Sequence, residues 1–150
     1  MSEATARASI KIDAPRSIVW EALTDPKLIT QYYLGATVTT DWKVGSPISF
    51  AGEWDGRRYE DKGKILSMSH EQELRYTHWS PLSGTPDSPE NYHVIRISLS
   101  SAKGITEVTL EQSNLMGGPT DEDRAHRDDF EKNWTTLLEG LKATAEGLVR

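Results

Sequence analysis

The chain has 150 residues, no cysteine and a formal net charge of −6, and its sequence pI is near 5.2. Its length fits one domain, spanning residues 1–150. The lack of cysteine excludes disulfides, thiolate metal sites and cysteine nucleophiles. Arg57 and Arg58 form the one adjacent basic pair, so we expect neither nucleic acid nor an anionic membrane surface as a partner. We also find no long apolar run and no secretory signal, and we therefore expect no membrane span and a cytoplasmic location.

The first part of the chain predicts one strand followed by two short helices. Alternating apolar residues over Ala8–Asp13 are typical of a strand with one buried face. A proline favours the first helical turn, so Pro15–Leu23 is predicted to be a helix. Asp25 as N-cap and Pro26 at the next position then start a second helix. This second helix carries Leu28, Ile29, Tyr32 and Tyr33.

From Ala36 to Asn114 the hydrophobic period changes to two, which predicts strands. Turn residues separate six of them, and sequential hairpins predict an antiparallel meander. The predicted strands are Thr37–Trp42, Pro47–Ala51, Arg58–Ser69, Glu73–Trp79, Tyr92–Ser100 and Ile105–Ser113. Alternation places three sets of side chains on the inner face, namely Leu74, Tyr76 and His78; Ile95, Ile97 and Leu99; and Thr106, Val108 and Leu110.

One long connection interrupts the predicted meander. It runs over Ser80–Asn91 and contains three prolines and one glycine. A domain boundary here would leave too few strands on either side. We therefore predict an ordered long hairpin loop at the edge of the sheet.

The last segment predicts a long amphipathic helix. Thr120 and Asp123 form a capping-box-like start, and a helix over residues 121–147 would be about 40 Å long. Its apolar stripe consists of Phe130, Trp134, Leu137, Leu138, Leu141, Ala145 and Leu148. Such a helix must lie along a large apolar surface, and the concave face of the sheet provides it. The predicted fold is therefore α+β of the helix-grip kind, in which a curved antiparallel sheet of about six or seven strands wraps around this helix.

Several stretches resemble those of a known family. They are IKIDAPRSIVWEALTDPKLITQYY, DKGKILSMSHEQELRYTHWSPLSG, PENYH and NWTTLLEGLK. Together they resemble the START-like, or SRPBCC, superfamily, and within it the family named after the C-terminal domain of the heat-shock protein 90 ATPase activator. The opening pattern with Pro15, Val19, Trp20, Asp25 and Pro26 is quite specific to this family. The stretch YTHWSPLSG with PENYH looks like a bacterial subgroup.

The resemblance implies a fold more than a function. Members of the superfamily bind hydrophobic molecules, cyclise polyketides, carry lipids or stimulate a chaperone ATPase. The family has no shared set of catalytic residues, so the resemblance implies no catalytic residue here. The eukaryotic activator engages the chaperone with an additional N-terminal domain, so we do not transfer the co-chaperone role.

Aromatic and histidine side chains on the predicted inner faces suggest a ligand pocket. The chain has five Trp, five Tyr and two Phe residues. A strongly curved sheet and a single helix are difficult to fill with side chains, which favours a cavity between them. The predicted pocket residues are Tyr32, Tyr33, Phe50, Tyr76, His78, His93, Trp134 and Leu138. For each aromatic residue, simple core packing remains the alternative.

Other polar residues admit weaker functional interpretations. His78 and His93 are either hydrogen-bonded core histidines or polar anchors for a ligand. The spacing of the four histidines does not suggest a metal site, and we expect no metal or cofactor. Ser80, Asp87 and His93 lack the elbow and oxyanion loop of a hydrolytic triad.

The final helix raises two further expectations. Asp123 and Arg127 are four residues apart, so we expect a solvated ion pair, with a position at the rim of the pocket mouth as the alternative. Gly140 lies mid-helix, which indicates either simple tolerance or a place where another group approaches closely.

Three functions follow from these observations. The first is binding of a small hydrophobic or amphipathic molecule, such as a lipid, a polyketide or an aromatic metabolite. The second is a protein-interaction or stress-response module whose partner is a chaperone or a regulator. The third is an enzyme of the cyclase or hydratase kind, with His78 or His93 as general acid or base and Asp61 as the one candidate carboxylate partner. Catalysis is the least supported of the three.

Overall fold

Seven strands form one antiparallel sheet, and four helices cover it. The structure is a computed structural model that describes residues 4–33 and 35–149. The helices are α1 (Arg16–Thr24), α2 (Pro26–Tyr32), α3 (Asp121–Ala125) and α4 (Arg127–Leu148). The strands are β1 (Ala6–Ile12), β2 (Thr37–Thr39), β3 (Pro47–Trp54), β4 (Arg57–Ser69), β5 (Glu73–His78), β6 (His93–Ala102) and β7 (Ile105–Asn114).

The sheet is the predicted meander, and the first strand, β1, extends it at one edge. Its order is β1-β7-β6-β5-β4-β3-β2, so consecutive strands pair from β2 to β7 and β1 joins beside β7. Two tight hairpins set the register. Asp55–Gly56 and Lys103–Gly104 occupy their turns with positive φ angles, as the two-residue turn that matches strand twist requires. The α+β helix-grip fold is thereby confirmed.

Helix α4 runs along β1 and packs against α1 and α2. Its glutamates cover the free edge of β1, since Glu131 accepts a hydrogen bond from the backbone N–H of Arg7 and Glu146 accepts one from Asp13. A covered edge strand cannot pair with another chain. Leu138, Leu141 and Ala145 of α4 are buried in the core, together with the three predicted sets of inward residues on β5, β6 and β7, apart from the half-buried His78.

The predicted single helix is interrupted at His126, whose φ and ψ angles are −105° and 6°. Two separate anchors explain the break. The carboxylate of Asp123 accepts a hydrogen bond from Asn114 at the end of β7, and this contact fixes α3. The guanidinium of Arg127 donates to the backbone carbonyl of Thr5, which fixes the start of α4. The expected solvated pair between Asp123 and Arg127 is therefore wrong, because each side chain binds a different partner.

The ends of two strands also differ from the prediction. Strand β2 ends at Thr39 rather than Trp42, and Trp42 has a positive φ of 62°, which no strand accommodates. Strand β3 continues to Trp54, because its turn needs only the two residues Asp55 and Gly56.

The loop over residues 80–91 is ordered by its own polar contacts, as predicted. Tyr92 donates its hydroxyl to Asp87, and Asp87 also pairs with Lys62 of β4. The Trp79 indole donates to Thr85. The loop connects β5 and β6, which are interior strands, so it lies at an end of the sheet and not at a lateral edge.

Within residues 4–33 and 35–149, no helix combines the length and the apolar character that a membrane crossing requires.

Candidate functional site

Two cavities lie between the sheet and α4. The larger one, called the pocket below, has a volume of about 590 Å³. The smaller one, called the inner cavity, has a volume of about 30 Å³, enough for one or two water molecules. Side chains therefore fill the inner end of the space, and a larger volume remains beneath the loop over residues 80–91.

The walls of the pocket come from every layer of the fold. Strands β4 to β7 contribute one side, α2 and α4 contribute the other, and the loop contributes the rim. The strand residues are Tyr59, Asp61, His78, His93, Ile95 and Gln112; the helical and neighbouring residues are Tyr32, Tyr33, Phe130, Asn133, Trp134, Thr136 and Leu137; the rim residues are Trp79, Ser80, Leu82, Ser83 and Asn91.

Seven of the eight predicted pocket residues line one or both cavities. Five line the pocket, namely Tyr32, Tyr33, His78, His93 and Trp134, and the two tyrosines and the tryptophan also line the inner cavity. Phe50 and Tyr76 line the inner cavity instead. Leu138 lines neither cavity and is only 1% exposed, so it belongs to the core.

Stacked aromatic rings separate the pocket from the core. The Phe50 ring stacks on Tyr33 with 4.9 Å between centroids and tilts against Tyr76 at 5.6 Å. Burial raises the pKa of both tyrosines, which therefore remain neutral phenols. The Tyr32 hydroxyl donates to the backbone carbonyl of Ala22, so it fixes α2 on α1 and is not a free polar handle.

Half-buried His78 and buried Asp61 form a polar pair in the pocket wall. Nε2 of His78 lies 2.9 Å from Oδ2 of Asp61. Asp61 is 8% exposed, and its second oxygen, Oδ1, has no hydrogen-bond partner among the described residues. A buried carboxylate oxygen without a partner is costly.

His93 faces a second carboxylate. Its Nε2 lies 3.6 Å from Oδ1 of Asp123. Burial lowers the pKa of His93 more than this carboxylate raises it. Burial alone would raise the pKa of Asp123, but hydrogen bonds from Thr120 and Asn114 outweigh it and lower that pKa. The arrangement therefore favours a neutral imidazole beside an ionised carboxylate.

A third polar group faces the pocket from β7. Gln112 is 4% exposed, and its Oε1 accepts a hydrogen bond of 2.8 Å from the Trp134 indole. Its Nε2 has no partner among the residues described. Sequence reasoning missed Gln112, although the alternation Thr106, Val108, Leu110 continues directly to it. The same rule applied to β4 would have placed Tyr59 beside Asp61 on the inner face.

The described part of the pocket wall contains no lysine or arginine. Among all residues that the structure describes, no three histidine, aspartate or glutamate side chains lie close enough together to hold a metal ion. The described wall offers aromatic faces, two imidazoles, the carboxylate of Asp61, amides and the hydroxyl groups of serine, threonine and tyrosine.

Comparison with known proteins places this fold in a family. The family described as Activator of Hsp90 ATPase homolog 1-like protein matches residues 13–146. None of the curated proteins compared with the chain matches it. The solution structure of ChR145 from Cytophaga hutchinsonii is 44% identical, with 98% of each chain covered and a TM-score of 0.71.

More distant structures share the fold. The protein NE0264 from Nitrosomonas europaea is 18% identical, with 98% of each chain covered and a TM-score of 0.73. DynU16, from the dynemicin biosynthetic locus, is 16% identical with a TM-score of 0.75, and the match covers 94% of this chain but 46% of DynU16. Since the family matches nearly the whole sequence, the chain belongs to the Activator of Hsp90 ATPase homolog 1-like family of the START-like, or SRPBCC, superfamily.

Proposed function

We propose that the chain binds a small, largely apolar molecule in the pocket between its sheet and α4. The observation that carries this proposal is the volume of about 590 Å³. Ligand sites typically have volumes of about 300–1,000 Å³ and combine apolar walls with a few polar groups. A protein-interaction module would instead need no internal space, so the pocket favours ligand binding over that hypothesis.

The pocket's few polar groups support a ligand that is amphipathic. The rings of Tyr33, Phe130 and Trp134 provide flat apolar faces. Asp61 and Gln112 line the pocket, and Oδ1 of Asp61 and Nε2 of Gln112 have no hydrogen-bond partner within the described chain. A ligand with complementary hydrogen-bonding groups would be oriented by these two residues.

The proposed ligand class is a lipid, a polyketide or an aromatic metabolite. DynU16, which shares the fold, comes from the dynemicin biosynthetic locus, and CalU16 from Micromonospora echinospora also shares it at 20% identity and a TM-score of 0.66. At such low identity these likenesses support the fold alone.

The proposal is tested with thermal shifts and a pocket-blocking variant. We expect at least one member of a panel of fatty acids, aliphatic and aromatic amines and polycyclic aromatic compounds to raise the melting temperature of the wild type. Asn133 lines the pocket from an exposed position on α4, so Asn133→Trp should abolish that shift. Thr135→Trp is the matched control, because Thr135 is exposed on the same helix and does not line the pocket. No shift with any compound, or equal shifts in both variants, would refute the proposal.

A second candidate, acid–base catalysis on the bound molecule, is favoured by the pair of His78 and Asp61. A carboxylate 2.9 Å from an imidazole fixes its orientation and tautomer, as in many general bases. Once a ligand is known, its conversion can be followed in the wild type and in His78→Gln. Binding without any turnover in the wild type would reject this candidate and leave the first one intact.

A further inference from the structure

We propose that the pocket selects a ligand carrying a protonated amine, which Asp61 binds, and discriminates against carboxylic acids. This inference rests on the proposed binding function and names the chemical class of the ligand. Lipid acids would then be excluded from the candidate ligands, and aromatic or aliphatic amines would be favoured.

The charges around the pocket give the first argument. Asp61 lies in the pocket wall, and Asp123 lies directly behind His93. The cations near these residues in sequence are engaged elsewhere. Lys62 pairs with Asp87 of the loop, Arg124 donates to Asp121, and Arg127 donates to the backbone carbonyl of Thr5. An anionic ligand would therefore be buried beside carboxylates without a lysine or arginine in the described wall to compensate it.

The two histidines do not supply the missing anion site. Nε2 of His78 is directed at Asp61, and Nε2 of His93 is directed at Asp123. Nε2 of His78 lies within hydrogen-bond distance of Asp61, so this nitrogen is not free to bind a ligand carboxylate.

The free oxygen of Asp61 gives the second, independent argument. Oδ1 is buried, Asp61 lines the pocket, and this oxygen has no partner in the described chain. Hydrogen bonds between charged partners are about twice as strong as neutral ones. An ammonium group would form such a bond with the carboxylate of Asp61, which turns toward the pocket to make it because protein atoms cover Oδ1. Tyr33 and Tyr59 also line the pocket, and an aromatic ring attracts a cation placed over its face.

A matched set of probes tests the inference. The probes are 2-(2-naphthyl)ethylamine, 2-(2-naphthyl)ethanol and 2-naphthylacetic acid, which share one aromatic frame and differ in charge. Binding is measured by calorimetry at about pH 7.5, where the amine is protonated and the acid is ionised. We expect the amine to bind roughly tenfold to a hundredfold more tightly than the acid, with the alcohol between them.

Replacement of the carboxylate identifies its role. Asp61→Asn should weaken amine binding about tenfold or more, and it should leave acid binding unchanged or improve it. Asp55→Asn is the matched control, because it removes the same charge at the exposed β3–β4 turn, where asparagine is also favoured. It should leave all three affinities unchanged. Circular dichroism and thermal unfolding verify that both variants are folded.

The possible outcomes separate this inference from the binding function. Acid binding equal to or tighter than amine binding would overturn the amine preference and preserve ligand binding. Equal loss of amine affinity in both asparagine variants would also overturn it, since net charge alone would then explain the attraction. If none of the three probes binds while other panel compounds do, the amine class is rejected; if no compound of either set binds, the binding function itself fails.

Discussion

His78 and His93 lie directly opposite each other on β5 and β6, and each imidazole faces a carboxylate from a different element. Asp61 of β4 faces the first, and Asp123 of α3 faces the second. The resulting row of four side chains crosses three strands and reaches the start of the C-terminal helices. One end of this row lies in the pocket wall, and the other end is Asp123, whose hydrogen bond from Asn114 holds α3 on the sheet.

This row makes stability depend on pH through His93. Burial lowers the pKa of His93 below its ordinary value of 6.5, so the unfolded chain binds a proton more readily than the folded one. The associated stabilisation is present above about pH 6.5 and is lost as the pH falls toward the lowered pKa. We expect urea unfolding to show that His93→Gln loses less stability than the wild type between about pH 7.5 and about pH 5.5.

The groups that face His93 define the control for this experiment. They are His78 on β5, Asp123 on α3 and the Phe130 ring on α4. The imidazole of His70 is largely exposed at the β4–β5 turn, so His70→Gln should keep the pH dependence of the wild type. An unchanged pH dependence in His93→Gln would contradict the assignment.

Asp123 should contribute far more to stability than its neighbour Asp121. It accepts hydrogen bonds from the Thr120 backbone and the Asn114 amide, and it is 7% exposed. We expect Asp123→Ala to lower the free energy of unfolding by about 2–3 kcal/mol, because bonds to a buried charge are lost and their donors remain unpaired. Asp121 is fully exposed on the same short helix, and Asp121→Ala should change the urea midpoint little. Similar losses in the two variants would be incompatible with the proposed anchor.

The fold was accessible from the sequence because its signals are local. The Asp25–Pro26 start of α2, the Asp55–Gly56 turn and the alternation along β5 to β7 each depend on neighbouring residues only. The break at His126 has no such signal. It depends on the bond from Arg127 to Thr5, which lies 122 residues away in sequence.

Only part of the candidate site could be predicted from the sequence, for a different physical reason. Alternation determines which side chains point inward, but it does not determine how much space they leave. Phe50 and Tyr76 point inward as predicted, yet their rings pack together and close the inner end. The pocket depends on residues from α4 and from the loop, such as Asn133 and Leu82, whose approach is a tertiary property.

Gly140 has a packing role that its helical position conceals. A Cβ atom at this position would lie 2.7 Å from Cβ of Tyr32, so the glycine allows α2 to approach α4. Alanine would improve helix propensity by about 1 kcal/mol, but we expect a net loss of about 1–2 kcal/mol because the two backbones must separate. Gly147→Ala is the control, since nothing lies within 4 Å of its added methyl group and its stability should not fall. A gain of stability in Gly140→Ala, measured by urea unfolding, would contradict this role.

Leu138 distinguishes core packing from ligand contact on α4. It is 1% exposed and lines neither cavity, whereas Trp134, one turn earlier, lines both. We expect Leu138→Ala to lower the free energy of unfolding by about 2–5 kcal/mol, because it leaves a void among well-packed side chains. Under conditions where the variant is folded, its affinity for a pocket ligand should be that of the wild type. Trp134→Phe should instead change the affinity for a pocket ligand, because it removes the indole N–H that binds Oε1 of Gln112 in the pocket wall.

Calorimetric titration of both variants with the same pocket ligand tests these two expectations. A large change of affinity in Leu138→Ala would show that Leu138 contacts the ligand.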